Sequence, residues 1–330
     1  MRRKIRKVLI TGGAGFIGSE FVRQMCLTKQ SLIVVDKLTY AADLCRLQEV
    51  EGKFKFYRAD ICDKKRMSSI VKKEKPDCIV NFAAESHVDR SIIDSDPFIE
   101  TNIKGTKNLL DLVLKLEVPL IIHISTDEVY GDIKKGSFSE DSPLKPNSPY
   151  AASKAAADLL IKSYIRTHKI PAIIVRPSNN YGPWQYPEKL VPLAALMAIK
   201  NKKVPVYAKG KNVREWLYVS DCARAVITVM QDGRTGDIYN IGSSQERRNI
   251  DTVKSILKAL HRPEGLIEFV KDRPGHDFRY ALDCRKLKNE LGWQPEVKFS
   301  EGLSLTVSWL IDNQAWLNKH SRKKLSIRFK

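Results

Sequence analysis

The chain is defined first by what it does not carry. In 330 residues no apolar run approaches the roughly 20 residues a membrane span needs, so no membrane partner is expected. The cysteines (Cys26, Cys45, Cys62, Cys78, Cys222 and Cys284) form no CxxC pair and no close Cys/His cluster. That argues against a metal site or a disulfide scaffold and suits a reducing cytoplasm. No internal repeat is visible, and no low-complexity segment beyond the termini. Acidic residues are the scarce charge: 38 against 57 lysines and arginines, a net +19.

Such a balance invites a nucleic-acid partner. Its distribution argues otherwise. Residues 1–7 hold five basic side chains and no acid, and residues 319–330 hold six and no acid, which leaves +8 for everything between. Basic terminal runs are usually solvated arms, so 319–330 reads as a solvated basic tail and nucleic acid is not expected as a partner. The basic start followed by VLITGGAGFIG imitates a secretory signal. The stretch carries four glycines and no small-residue cleavage pattern after it, so a signal peptide is not expected.

What is present is enough apolar material, 43% of residues, to build a sizeable core. Short apolar runs at 8–11, 32–35, 54–57, 78–82, 120–124 and 172–175 alternate with helical patterns at 15–27, 64–73, 98–116 and 150–167. That alternation predicts an α/β fold, a Rossmann-like doubly wound parallel sheet with helices on both faces. Ligands of such sheets bind beyond the carboxyl ends of the strands. The second half is less regular and predicts a smaller mixed α/β domain. It reads as a loop-like aromatic segment at 177–188, strand-like pieces within 204–216, helices at 219–231, 249–260 and 301–316, and a polar loop at 271–279. The expected division is 1–183 plus 217–243 for a dinucleotide domain, 184–216 plus 244–318 for a substrate domain, and 319–330 for the tail.

Gly12, Gly15 and Gly18 follow the first strand and open a helix. Glycines there allow a tight turn and close approach of a pyrophosphate to free helix N–H groups. Asp36 ends the second strand, where a carboxylate can bind both ribose hydroxyls and repel a 2′-phosphate. NAD is therefore favoured over NADP, with Lys37 next door weakening the exclusion. Tyr150 and Lys154 stand one helical turn apart on one face. A nearby ammonium would favour the phenolate, making Tyr150 a base toward a sugar hydroxyl. Thr126 ends the fifth strand, followed by Asp127 and Glu128. Elimination of water needs an acid for the leaving hydroxyl and a base for a carbon-bound proton, and two adjacent carboxyls can hold one proton between them. Consecutive strand residues point to opposite faces, so the backbone must leave strand geometry near Thr126 for both to reach one sugar.

The stretches ITGGAGFIGS, DKLTYA, ADICD, FAAESHVDRS, ISTDEVYGD, SPYAASKA, SNNYGP, YPEKLVPL, REWLYVSD, YNIG and DRPGHD occur in this order. Together they resemble the extended short-chain dehydrogenase/reductase family, and within it the dTDP-glucose 4,6-dehydratase group, over about residues 7–316. The resemblance implies dehydration of a nucleoside diphosphate glucose (dTDP-glucose before UDP-glucose) by C4 oxidation, C5/C6 water elimination and C6 reduction with bound NAD. It implies Thr126, Asp127, Glu128, Tyr150 and Lys154 as the catalytic set, with Asp127 as acid and Glu128 as base. For NAD it implies Gly12, Gly15, Phe16, Ile17, Gly18, Asp36, Lys37, Thr39, Asp60, Ile61, Ala83, Ala84, Ser86, Thr101, Tyr150, Lys154 and Asn180. For the sugar nucleotide it implies Ser86, Thr126, Asn179, Lys189, Leu190, Pro205, Tyr207, Arg214, Asn249, Arg273 and His276. A homodimer through a four-helix bundle of helices 98–116 and 150–167 is also implied. The alternatives are a sugar-nucleotide 4-epimerase, against which Asp127-Glu128 argues, and a non-catalytic NAD- or nucleic-acid-binding protein. Pro177 and Phe278 depart from the group's pattern, in which bacterial members usually carry cysteine or serine, and arginine.

Overall fold

The computed structural model describes residues 3–321. It opens with β1 (Lys7–Thr11), α1 (Phe16–Met25), β2 (Ser31–Asp36) and β3 (Phe54–Arg58). Next come α2 (Lys64–Glu74), β4 (Cys78–Asn81), α3 (Val88–Ile93) and a single turn, α4 (Asp96–Phe98). A π-helical stretch Ile99–Gly105 leads into α5 (Thr106–Leu116), then β5 (Ile121–Ile124), α6 (Pro149–His168) and β6 (Ala172–Pro177). These strands and β10 (Ile238–Ile241) form one parallel sheet, ordered β10-β6-β5-β4-β1-β2-β3. The strands are runs such as VLIT and SLIVVD because helices cover both faces, leaving no solvent side for alternation to mark. Two apolar clusters fill the two faces, one around Phe21 and Val226, the other around Leu109 and Ile161.

Helix ends follow local chemistry. Asp63 caps α2 by accepting from Arg66 N–H, and Lys75 closes it in the left-handed region. Ser148 caps α6 by accepting from Ala151 N–H, with Pro149 at the first helical position. That cap fixes where Tyr150 and Lys154 emerge.

The remaining elements are β7 (Asn179–Tyr181), α7 (Leu190–Ile199), β8 (Val204–Tyr207), β9 (Val213–Tyr218) and α8 (Val219–Asp232), then β11 (Glu246–Arg248), α9 (Asn249–Ala259) and β12 (Ile267–Val270). The chain closes with α10 (Arg285–Leu291), α11 (Phe299–Asp312) and α12 (Gln314–Ser321). They add a three-stranded sheet β11-β9-β7, a parallel pair β12-β8, and a second core in which α7, α9 and α11 pack together.

Three expectations need correction, and one helix is absent from the sequence reading. The single helix at 98–116 is a turn, a π stretch and α5 in series. The loop-like segment 177–188 contains β7, which pairs in parallel with β9. Helix α7 carries no amphipathic stripe, because LVPLAALMAI is buried on nearly every side, so periodicity could not reveal it. The solvated tail placed at 319–330 begins too early: Lys319, His320 and Ser321 continue α12, and 322–330 lie outside the described residues.

Candidate active site

The carboxyl ends of the parallel strands face a cavity of about 290 Å³. Every residue expected around NAD lines it. Gly12 has φ +70°, and a Cβ there would sit 2.5 Å from the backbone nitrogen of Ala83. Only glycine lets this turn lie against the loop after β4. Gly15 begins α1 without any side-chain cap, so the first N–H groups of the helix stay available to a ligand. Asp36 accepts from Ala14 N–H at 3.0 Å and from Leu38 N–H at 2.8 Å. It thus braces the glycine loop as well as facing the cavity. Burial raises its carboxyl, against the pull of those two N–H groups, Arg46 and Lys37. Lys37 Nζ lies 3.3 Å from Thr101 Oγ1 and 3.4 Å from Asp60 Oδ2, closing the far end.

Beyond Thr126 the chain leaves strand geometry as required. Thr126 is extended, at φ −158° and ψ 155°, and Asp127–Tyr130 is a 3₁₀ turn capped by its hydroxyl, which accepts from Glu128 N–H at 3.3 Å. Both Asp127 and Glu128 line the cavity, beside Tyr150 and Lys154. Asp127 Oδ1 receives the Thr126 hydroxyl at 3.1 Å, while the buried Oδ2 has no partner among the described residues. Burial, then Glu128 and Glu215, push the Asp127 carboxyl well above the usual range. Burial raises Glu128 too, but Arg273, Arg214 and Lys189 pull the other way. The environments therefore assign the proton to Asp127.

Tyr150 departs from expectation. Burial and the negative Glu128 raise its hydroxyl, and Thr126 opposes them. The Lys154 ammonium is turned elsewhere, donating to the Ile124 carbonyl at 2.6 Å with His123 Nε2 at 3.2 Å. Desolvation lowers Lys154 to about 8.

A second cavity, about 200 Å³, adjoins the first and shares with it Glu128, Asn179, Asn180, Gln185, Glu188 and Lys189. Leu190, Pro205, Tyr207, Arg214, Asn249, Arg273 and His276 line it as expected, and Ser86 and Thr126 stand on the first cavity's side. The two arginines differ. Arg214 donates to the backbone oxygens of Val213 at 2.8 Å and Asp277 at 2.9 Å. Arg273 donates through one terminal nitrogen to Asp89 at 2.8 Å, and its buried Nε has no partner among the described residues. Arg273 is therefore the better-placed donor for an anion. His276 Nδ1 lies 2.6 Å from Asp272 Oδ1, and burial with Arg273 and Arg214 lowers the ring to about 4. Phe278 is half exposed and does not line this cavity, although its carbonyl accepts from Arg214 at 3.3 Å.

Sequence reasoning missed several residues. Asp89 holds both Arg273 and the Tyr207 hydroxyl, the latter at 2.6 Å. Glu188 accepts from Tyr40 at 2.9 Å at the junction of the cavities. In the π stretch, Asn102 clamps the loop after β4 to α6. It accepts from Glu85 N–H at 2.9 Å and donates to Ser153 Oγ at 2.9 Å. Polar residues inside the matching stretches ESHVDRS and YPEK were the available signal for Asp89 and Glu188; Asn102 had none.

Comparison with known proteins agrees with this geometry. The family model described as GDP-mannose 4,6 dehydratase matches residues 9–306. A dTDP-glucose 4,6-dehydratase of Escherichia coli is 46% identical, over 94% of this chain and 95% of that protein. The solved structure of DesIV, a dTDP-glucose 4,6-dehydratase from Streptomyces venezuelae with NAD and TYD bound, is 43% identical with a TM-score of 0.93, covering 95% of this chain and 99% of that one. A UDP-glucose 4-epimerase of Thermus thermophilus in complex with NAD shares the fold at a TM-score of 0.87 but only 30% identity, covering 93% of this chain and 99% of that one. With the Asp127-Glu128 pair on the wall of the first cavity, the chain belongs to the dTDP-glucose 4,6-dehydratase group of the extended short-chain dehydrogenase/reductase family.

Proposed function

We propose that the chain dehydrates dTDP-glucose to the 4-keto-6-deoxy sugar nucleotide while holding NAD. The observation that carries this reading is the 3₁₀ turn, which presents Asp127 and Glu128 to one wall in environments that separate their proton affinities.

The first cavity fits a dinucleotide. The close approach at Gly12, the uncapped start of α1 and the Asp36 carboxylate match a pyrophosphate and a ribose diol. NAD held there supplies a reversible store for the hydride that leaves C4 and returns at C6. Tyr150 takes the C4 hydroxyl proton, and Thr126 holds the C4 oxygen. With Tyr150 raised by burial, its gain of negative charge is helped by the Thr126 hydroxyl. The C4 ketone acidifies the C5 proton, which Glu128 removes. Asp127 delivers its proton to the C6 hydroxyl, which departs as water, and as hydride reaches C6 a proton returns to C5. In the second cavity Arg273, Arg214 and Lys189 supply cations for the diphosphate.

The same reading includes the division into a dinucleotide domain (1–183 plus 217–243) and a substrate domain (184–216 plus 244–318), supported by the large sheet drawing all its strands from the first set. It includes a homodimer through α5 and α6, supported by the exposed Leu114 and Leu159 on these helices. A cytoplasmic setting is supported by six free cysteines. Light scattering that finds only monomers would remove the dimer.

Turnover of dTDP-glucose without added NAD tests the reading, with UDP-glucose as comparison. Tyr150→Phe blocks oxidation, a loss of about 10³-fold, and Asp127→Asn stalls elimination by a similar factor. Full dehydration by Asp127→Asn would remove Asp127 as the acid.

A further inference from the structure

Helix α12 lies beyond the family-matched residues, which end at 306. It is docked nonetheless. Trp316 and Leu317 are buried, and Trp316 packs edge-on against Trp184 and Trp309 at centroid distances of 5.5 Å each.

Its polar atoms converge on one carboxylate. Trp316 Nε1 donates to Asp43 Oδ2 at 2.9 Å, and His320 Nε2 lies 3.3 Å from the same oxygen. The other Asp43 oxygen accepts from Cys45 N–H at 3.0 Å, and Asp43 N–H donates to the Ala14 carbonyl at 3.0 Å. Arg46, fully buried, lies over the Trp316 ring at 5.5 Å and donates to the carbonyls of Ala14 at 2.8 Å and Ala41 at 2.6 Å. Ala14 sits within the glycine loop and binds Asp36 through its own N–H. A second route runs along the cavity rim. His320 packs edge-on against Tyr186 at 5.6 Å, and Tyr186 lines the first cavity. Two independent routes thus join α12 to the dinucleotide cradle.

We propose that Trp316 and His320, through Asp43 and Tyr186, are positioning residues that hold the 36–46 loop against the glycine loop and so slow release of the dinucleotide. The inference rests on the NAD reading above. A cofactor that must survive every turnover has to leave slowly. Opening the 36–46 loop means parting Asp43 from α12, and a hydrogen bond to a charged group corresponds to a factor of about ten in that opening.

The test measures NAD release from the holoenzyme into buffer containing a scavenger. Trp316→Phe keeps an aromatic ring and loses the N–H. Asp43→Asn keeps an oxygen for Cys45 N–H but turns an amide NH₂ toward the Trp316 N–H. Each is expected to release NAD about tenfold faster and to shrink the rise in Tm that NAD confers. A purely structural role would lower Tm equally with and without NAD and leave release unchanged. Release within twofold of the parent in both folded variants overturns the proposal. If Trp316→Phe does not fold, Asp43→Asn decides alone. A parent protein that neither retains nor rebinds NAD overturns the cofactor reading itself, a result distinct from unchanged release.

Discussion

The two cavities are built from different materials. The first is closed at its dinucleotide end by glycines and alanines, from the start of α1 and the loops after β2 and β4, beyond the ends of the parallel strands. The second is walled by long polar side chains (Arg214, Arg273, Tyr207, His276) that reach in from loops and strands far apart in sequence. One site is therefore fixed by chain geometry and the other by a web of side-chain contacts. Backbone cradles fail when a Cβ intrudes, whereas side-chain webs lose affinity one contact at a time.

That contrast can be broken by experiment. The largest effect is expected at Gly12→Ala. It has no room at Ala83 and adopts a strained φ, so NAD content after purification should fall below about a tenth of the parent's. Normal NAD content would show that the cradle tolerates what the geometry forbids. Next, Arg273→Ala should raise KM for the sugar nucleotide about 10- to 100-fold, and Arg214→Ala less, since its guanidinium is held by backbone carbonyls. The reverse order in steady-state kinetics would contradict the assignment of the free Nε. Asp89 sharpens the point. Asp89→Ala should raise KM about tenfold with kcat largely kept, and Asp89→Asn, whose single oxygen can keep the Arg273 bond while its NH₂ faces the Tyr207 hydroxyl, should recover part of it. Equal defects in both variants would make the charge, not the geometry, the active quantity.

The smallest effect is one of stability, at Asp127 on the wall of the first cavity. Asp127 has its folded carboxyl raised above the unfolded value, so the fold retains a proton that the unfolded chain releases. Its contribution is complete below the unfolded value, near pH 4, and declines as pH rises toward the folded value. Asparagine never ionises. Asp127→Asn should therefore gain Tm relative to the parent as pH rises from about 4 to 8, by about 2 °C or more, read by thermal unfolding. A difference independent of pH would mean the carboxyl titrates normally.

The same contrast explains what could be read from the sequence. The glycine loop, Asp36 and the Tyr150/Lys154 pair belong to short segments whose spacing fixes their geometry. The strand–helix alternation follows from apolar runs that helices cover on both sides. Helix α7 escaped because it is apolar all round. The Asp89–Arg273 contact joins residues 184 positions apart, a pairing that no local pattern encodes. The direction of the Lys154 ammonium depends on the Ile124 carbonyl and His123 of β5, and the docking of α12 depends on Asp43, so both had to await the fold.

The π stretch Ile99–Gly105 has a consequence for insertions and deletions. A π turn accommodates one more residue than an α turn over a similar rise. Deleting a residue there would let the segment relax into continuous α-helix with the turns on either side nearly in phase, because the wide turn already carries the extra residue. The cost would fall inside the turn, on Asn102 and its contacts to Glu85 and Ser153. A one-residue deletion should therefore act like the loss of Asn102 rather than the loss of a whole helix.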